Sequence, residues 1–254
     1  MSEQTKQIEE KLIDLKVKEY NIAMFSSPKL DDQYGEIDLL TIPLNNEGST
    51  GDNDMIYTKI SLNNTGSDLP DLLVLPGFSI ESHNDMLGIL IKGKEFIKDR
   101  FRTMYMFNFG EKNRTKSKVC SAGLAGDAKY EKEDEFKKEL AVIVDKLIRS
   151  SGLNLRNFTV LAKSAGGGIA FFLAGINPEV KVLMATCPGF HNNGAVVKDR
   201  KDLKIYIMWN KDDEILNYNE VINEDGTIKK SKRIEIMKQL KLQGNDVTYY
   251  SYEH

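Results

Sequence analysis

The segment Val160-Leu161-Ala162-Lys163-Ser164-Ala165-Gly166-Gly167-Gly168-Ile169-Ala170 constrains the chain more than any other. An apolar run of strand character passes through small residues straight into a helical pattern, with no room for a loop between them. In one reading Ser164, at the pivot, would occupy a strained turn that projects its hydroxyl above the sheet. The residues two before and two after it must be small, because strand and helix approach closely there. Ala162 and Gly166 meet that requirement. Two other readings of these residues stand beside it. In one, the glycines serve close packing alone and Ser164 is an ordinary helix N-cap. In the other, the glycine run cradles a phosphate, although the third glycine of G-x-G-x-x-G is missing and no Gly-Lys-Ser/Thr follows.

The flanking sequence supplies the sheet that such a turn needs. After Leu75 the chain repeats strand, loop and helix, the pattern of a parallel sheet with helices on both faces. Buried apolar runs predict strands at Asp71–Leu75, Thr103–Phe107, Phe158–Ala162, Val180–Ala185, Lys204–Trp209 and Val247–Tyr252. Before them, Tyr20 to Leu75 is β-rich, with candidate strands Ile37–Leu44 and Met55–Leu62 joined by an exposed connection, Asn45–Asp54. Helical periodicity is clearest from Glu133 to Arg149, where Phe136, Leu140, Ile143, Val144 and Leu147 recur at three- and four-residue spacing. A further helix follows Ser164, and another spans Lys232 to Leu242. Residues 1–19 form a short N-terminal helix or tail. Gly110–Lys118 and Asn223–Lys232 read as solvated loops, and 186–203 as a short cap-like segment whose few apolar residues are Phe190, Val196 and Val197. No internal repeat is present, so residues 1–254 are expected to form a single domain.

Composition narrows the function. The chain has 254 residues, 41% of them hydrophobic, enough for one sizeable core. Its 35 basic and 38 acidic residues leave a net charge of −3, so no general positive field draws it to nucleic acid or an anionic membrane. No apolar run approaches about 18 residues, which argues against an integral membrane protein. Met1 to Tyr20 lacks the continuous apolar stretch of a signal peptide, and the three Asn-x-Thr triplets are accordingly read as chance. Cys120 and Cys187 lie far apart with no C-x-x-C spacing, supporting neither a disulfide framework nor a zinc site. A reducing, cytoplasmic setting is expected.

A serine hydroxyl is a poor nucleophile at neutral pH and needs a base to take its proton and an acid to orient that base. Both types follow downstream. After the penultimate strand comes Trp209-Asn210-Lys211-Asp212-Asp213-Glu214-Ile215-Leu216, which could also be a plain acidic turn. After the last strand comes Tyr252-Glu253-His254. The other histidines are His83, which precedes the serine, and His191, which is the next candidate base.

Together these residues resemble the α/β-hydrolase superfamily. Ala162–Gly166 is similar to the A-x-S-x-G form of its nucleophile elbow, and Trp209–Leu216 to its W-G-x-x-D-x-x-x segment, with Asn210 for Gly. Leu75-Pro76-Gly77-Phe78-Ser79 is similar to its H-G-x loop, with Pro76 for His, and reads otherwise as a Pro-Gly turn. The resemblance runs from Asp71 to His254 and implies an α/β fold: a mostly parallel central sheet with an N-terminal antiparallel part and helices on both faces. It implies Ser164 as nucleophile, Asp213 as acid (Asp212 if the register shifts by one), His254 as base, and the Phe78 and Ala165 amides as oxyanion hole. The expected activity is hydrolysis of a small-molecule ester or thioester through an acyl-enzyme, of carboxylesterase or thioesterase type, with no metal or organic cofactor. The short 186–203 segment implies an open site. A catalytically inactive binding module of the same fold, or an acyltransferase, are the alternatives.

Overall fold

The computed structural model of the chain describes residues 37–42, 55–61, 68–79, 82, 85–86, 89–90, 92–109, 115, 117–150, 157–189, 193–210, 221–222, 228–229 and 238–252. In chain order the strands are β1 (Ile37–Ile42), β2 (Met55–Ser61), β3 (Leu72–Leu75), β4 (Thr103–Asn108), β5 (Phe158–Lys163), β6 (Val180–Thr186), β7 (Lys204–Asn210), β8 (Val221–Ile222), β9 (Ile228–Lys229) and β10 (Asp246–Tyr252). The helices are α1 (Lys94–Arg100), α2 (Gly126–Ser150) and α3 (Ala165–Ile176). Eight strands make one sheet in the order β1-β2-β4-β3-β5-β6-β7-β10. From β4 to β10 the neighbours are parallel, while β2 is antiparallel to both β1 and β4.

The central strands β3, β4 and β5 are largely apolar because both sheet faces are covered there, and successive side chains point to opposite faces. Leu73 and Leu75 of β3, with Phe158, Val160 and Ala162 of β5, pack against Leu140, Val144 and Ile148 of α2 and against α3. Leu72 and Val74, with Met104, Met106 and Leu161, face the other way and are covered by Met86, Leu90, Ile97 and Phe101. Each buried Leu, Val, Ile, Phe or Met among these contributes about 1.5–3 kcal/mol. Residues Gly166 to Ala174 of α3 are buried without a break, which explains a helix with no polar face. Its far end is closed by Arg200, whose guanidinium donates to the carbonyls of Ala174, of Asn177 at 2.9 Å and of Val180 at 2.6 Å.

At the N-terminal ends of β3 and β4, Asp71 and Arg102 form a two-pronged ion pair of 3.0 and 2.5 Å. The Asp71 carboxyl is almost fully buried, and that burial pushes its pKa up, with the Arg102 hydrogen bond pulling partly back.

Several expectations are corrected. Helix α2 starts at Gly126, seven residues before Glu133, because its first two turns lie on the surface and carry charge pairs instead of apolar periodicity. Lys132 and Glu135 meet there at 2.6 Å. Residues 117–120 are helical, so Gly110–Lys118 is not loop throughout. Within Asn223–Lys232, Ile228–Lys229 is not loop but pairs antiparallel with Val221–Ile222. Of the helix expected over Lys232 to Leu242, residues 238–242 are described and helical, and the possible N-terminal helix at 1–19 and the connection Asn45–Asp54 lie outside the described residues. Within the cap-like 186–203 segment, Asn193–Val197 forms a 3-10 turn against α3, at Gly175, where a Cβ would stand 2.7 Å from the Val196 carbonyl. No helix among the described residues is long and apolar enough to cross a membrane.

Candidate active site

In spatial order β3 lies between β4 and β5, and the chain leaves β3 and β5 toward opposite faces of the sheet. A crevice opens at the C-terminal ends of strands where successive connections diverge in this way, and ligands of open α/β sheets bind there. The residues that meet at this point are the loop after β3 and Ser164.

Ser164 has φ 51° and ψ −123°, far from the conformations that non-glycine residues prefer, a strain of about 1–3 kcal/mol. Its neighbours hold it there. The Ser164 N–H donates to the Thr186 carbonyl at 3.1 Å, extending the β5–β6 ladder by one rung. Its carbonyl accepts the N–H of Gly167 at 2.9 Å and of Gly189 at 2.7 Å. Although Ser164 occupies the N-cap position of α3, its side chain makes no capping hydrogen bond, so the plain N-cap reading fails.

The glycines that follow are dictated by contact. A Cβ on Gly166 would stand 2.1 Å from the Leu75 carbonyl oxygen and 2.4 Å from that of Pro76, and one on Gly167 2.5 Å from the Pro188 Cβ. A run of glycines costs a helix about 1 kcal/mol each relative to alanine. Here it lets the first turn of α3 touch the end of β3 and the loop after β6.

The loop after β3 closes on Ser164 from the other side. A Cβ on Gly77 would lie 3.1 Å from the Ser164 Cβ and 2.6 Å from the Ser82 Oγ. The buried Ser82 hydroxyl accepts the Gly77 N–H at 2.7 Å, and the Ser82 N–H donates to the Ser79 hydroxyl at 3.1 Å, the i to i+3 bond of a helix N-cap. The Phe78 ring is anchored edge-on to Phe109, with centroids 5.8 Å apart, and lies 6.0 Å from Phe136. One residue before the serine, Lys163 forms an ion pair with Asp85, tying β5 to the helical segment that leaves this loop.

The described residues thus bring Ser164, Ala165 and the Gly77–Phe78 loop together. Asp212, Asp213, His83, His191 and His254 lie outside the described residues. The strands that lead to the candidate acid and base do not: β7 and β10 are parallel neighbours, with Asn210 opposite Tyr252 at their ends. Among the described residues no three His, Cys, Asp or Glu side chains are grouped to hold a metal ion.

Three features of the site are absent from the sequence reading. Ser82 and the Lys163–Asp85 pair depend on tertiary approach and leave no local pattern. Lys137 and Asp134, buried behind Ser164, do leave one. They occupy the same helical stripe as Ala141, Val144 and Ile148, where a charged residue is out of place.

No protein-family model matches the sequence, and a search of curated proteins finds no significant relative. Solved structures do match. A thermostable esterase superposes with a TM-score of 0.58 at 14% identity, covering 87% of this chain and 56% of its own. The protein described as a predicted CIB-like hydrolase from Thermoplasma acidophilum gives 0.54 at 14% identity, covering 86% and 87%. A dienelactone hydrolase from Anabaena variabilis gives 0.51 at 10% identity, covering 86% of each chain. This chain therefore spans little more than half of the esterase but most of the other two. Its strand order, its single antiparallel reversal at β2 and these similarities establish that the chain has the α/β-hydrolase fold.

Proposed function

We propose that this protein is a serine hydrolase that cleaves an ester or thioester through an acyl-enzyme. The observation that carries this reading is the strained Ser164, held at the carboxyl ends of β3 and β5 with its hydroxyl not spent on capping α3. Backbone strain concentrates where the surrounding structure over-determines it for function. The esterase and hydrolase names among the structural neighbours point the same way.

In this mechanism the Ser164 Oγ bonds to the acyl carbon as His254 takes its proton, and the Asp213 carboxylate steadies the imidazolium that results. The carbonyl oxygen becomes an oxyanion received by the N–H groups of Phe78 and Ala165. Collapse breaks the bond to the leaving alcohol or thiol, which takes the proton from His254. Water then repeats the sequence: it gives a proton to His254, bonds to the acyl carbon, and releases the acid while Ser164 regains its proton. The described site, bounded by the loops after β3 and β6 and by the turn at Ser164, suits a small-molecule acyl substrate, and the thiols Cys120 and Cys187 suit a reducing cytoplasm.

Hydrolysis of 4-nitrophenyl acetate by the wild type, Ser164→Ala, Asp212→Asn, Asp213→Asn and His254→Ala tests the assignments together. Loss of turnover in every variant but Asp212→Asn is the expected result. Full activity in Ser164→Ala would overturn the reading, and full activity in His254→Ala would pass the base to His191. Product analysis with added alcohol or amine distinguishes hydrolysis from acyl transfer, free acid alone being expected.

A further inference from the structure

Lys137 is a buried charge that none of these steps uses. Its side chain is 5% exposed, on the core stripe of α2, and an ammonium withdrawn from water in this way must be paired and hydrogen-bonded. One partner is Asp134, 8% exposed, whose Oδ1 lies 3.3 Å away. The other is the Gly189 carbonyl oxygen, which accepts from the Lys137 Nζ at 2.7 Å across 52 residues of sequence.

Gly189 is also the residue whose N–H donates to the Ser164 carbonyl at 2.7 Å. That carbonyl belongs to the peptide unit whose other end is the Ala165 N–H, one of the two oxyanion donors in the mechanism above. Gly189 lies directly against this peptide: a Cβ on it would stand 3.3 Å from the Ser164 carbonyl carbon and oxygen and 3.4 Å from the Ala165 nitrogen. The path runs by hydrogen bonds from Asp134 to Lys137 and on to the Gly189 carbonyl, through the Gly189 backbone, and by a hydrogen bond from the Gly189 N–H to the Ser164–Ala165 peptide.

We infer that Lys137 is a positioning residue for acyl transfer, holding Gly189 so that the Ser164–Ala165 peptide is fixed and polarised as an oxyanion donor. The inference rests on the serine-hydrolase reading of the site. Physically, hydrogen bonds to a peptide carbonyl strengthen the N–H of the same peptide as a donor. The group is oriented before reaction, so no reorganisation is required when the oxyanion forms. Asp134 offsets much of the lysine charge, and the anchoring of Gly189 is the part that carries the effect.

The test compares wild type, Lys137→Met and Lys137→Arg in two assays, 4-nitrophenyl acetate hydrolysis and the rate of labelling by a fluorophosphonate probe, both normalised to folded protein. Lys137→Met is expected to lower kcat roughly ten- to a hundredfold with KM changed less than about twofold, below the loss from removing an oxyanion donor outright. Labelling slows in parallel, and Lys137→Arg recovers most of both rates. An unchanged kcat per folded molecule, with only the unfolding midpoint lowered, overturns the inference and leaves Lys137 a structural residue. If Lys137→Met does not fold, Lys137→Gln takes its place, a shorter neutral side chain that withdraws the ammonium from the Gly189 carbonyl. A lower kcat at constant KM then supports the inference, and an unaltered kcat overturns it. A folded wild type that takes no label at Ser164 overturns the serine-hydrolase reading itself, a different outcome from a labelled wild type with an indifferent Lys137.

Discussion

The carbonyl oxygen of Leu75 occupies the space where any side chain on residue 166 would begin, 2.1 Å from a Cβ built on Gly166. Both partners are main chain, so neither can yield as a flexible side chain would. Gly166→Ala must separate the first turn of α3 from the end of β3, and is expected to cost at least about 1–3 kcal/mol of stability. Gly123 provides the contrast, with φ +75° but nothing within 4 Å of a Cβ. Gly123→Ala should cost only the left-handed strain, about 1–2 kcal/mol. Urea unfolding midpoints check both, and only Gly166→Ala should also lose ester hydrolysis per folded molecule.

Ser82 holds the Gly77 N–H from a buried position. Ser82→Ala leaves that donor unpaired, at a cost of about 1–3 kcal/mol, and frees the loop that carries the Phe78 amide. In steady-state kinetics kcat should fall while KM stays near its wild-type value, the pattern of an interaction used in the transition state. Ser82→Thr, which keeps the hydroxyl, should recover much of the rate. An equal kcat in wild type and Ser82→Ala would remove the loop from the mechanism.

The Asp71 carboxyl gives a signed pH dependence. Burial raises its pKa in the folded protein above the ordinary value near 3.9, so the folded state keeps that proton to higher pH than the unfolded chain. The resulting contribution to stability is fully present below the unfolded value and is lost as pH rises through the folded one. Relative to Asp71→Asn, the wild type should therefore lose stability between the ordinary carboxylate pKa and the raised one, then run level. Urea midpoints of the two proteins across acidic pH check this. A wild type that gains on the variant as pH rises through that window would reverse the assignment.

The fold was legible in the sequence where one physical cause governs a whole segment. Strands buried on both faces must be apolar throughout, and for that reason the runs at Thr103–Phe107, Phe158–Ala162 and Val180–Ala185 lie within one residue of the observed strand ends. The turn at Ser164 was legible because small residues are needed on either side of it, and Gly166 and Gly167 meet backbone and proline where larger side chains would clash. The first two turns of α2 were not, since Lys129 and Lys132 pair with Glu133 and Glu135 on the surface and show no apolar period. Ser82 was invisible for another reason: its hydroxyl matters only once Gly77 has been brought to it. Lys137 could have been found as a lysine on the buried stripe of α2, though its link to Gly189 spans 52 residues and belongs to the tertiary structure alone.

The most direct measurement is mass spectrometry of the folded protein after reaction with a fluorophosphonate probe. The account predicts one adduct, on the Ser164 Oγ, that disappears in Ser164→Ala together with ester hydrolysis while the unfolding midpoint moves little. A folded wild-type protein that takes no adduct at Ser164, or a Ser164→Ala variant that still hydrolyses ester at the wild-type rate, would contradict it.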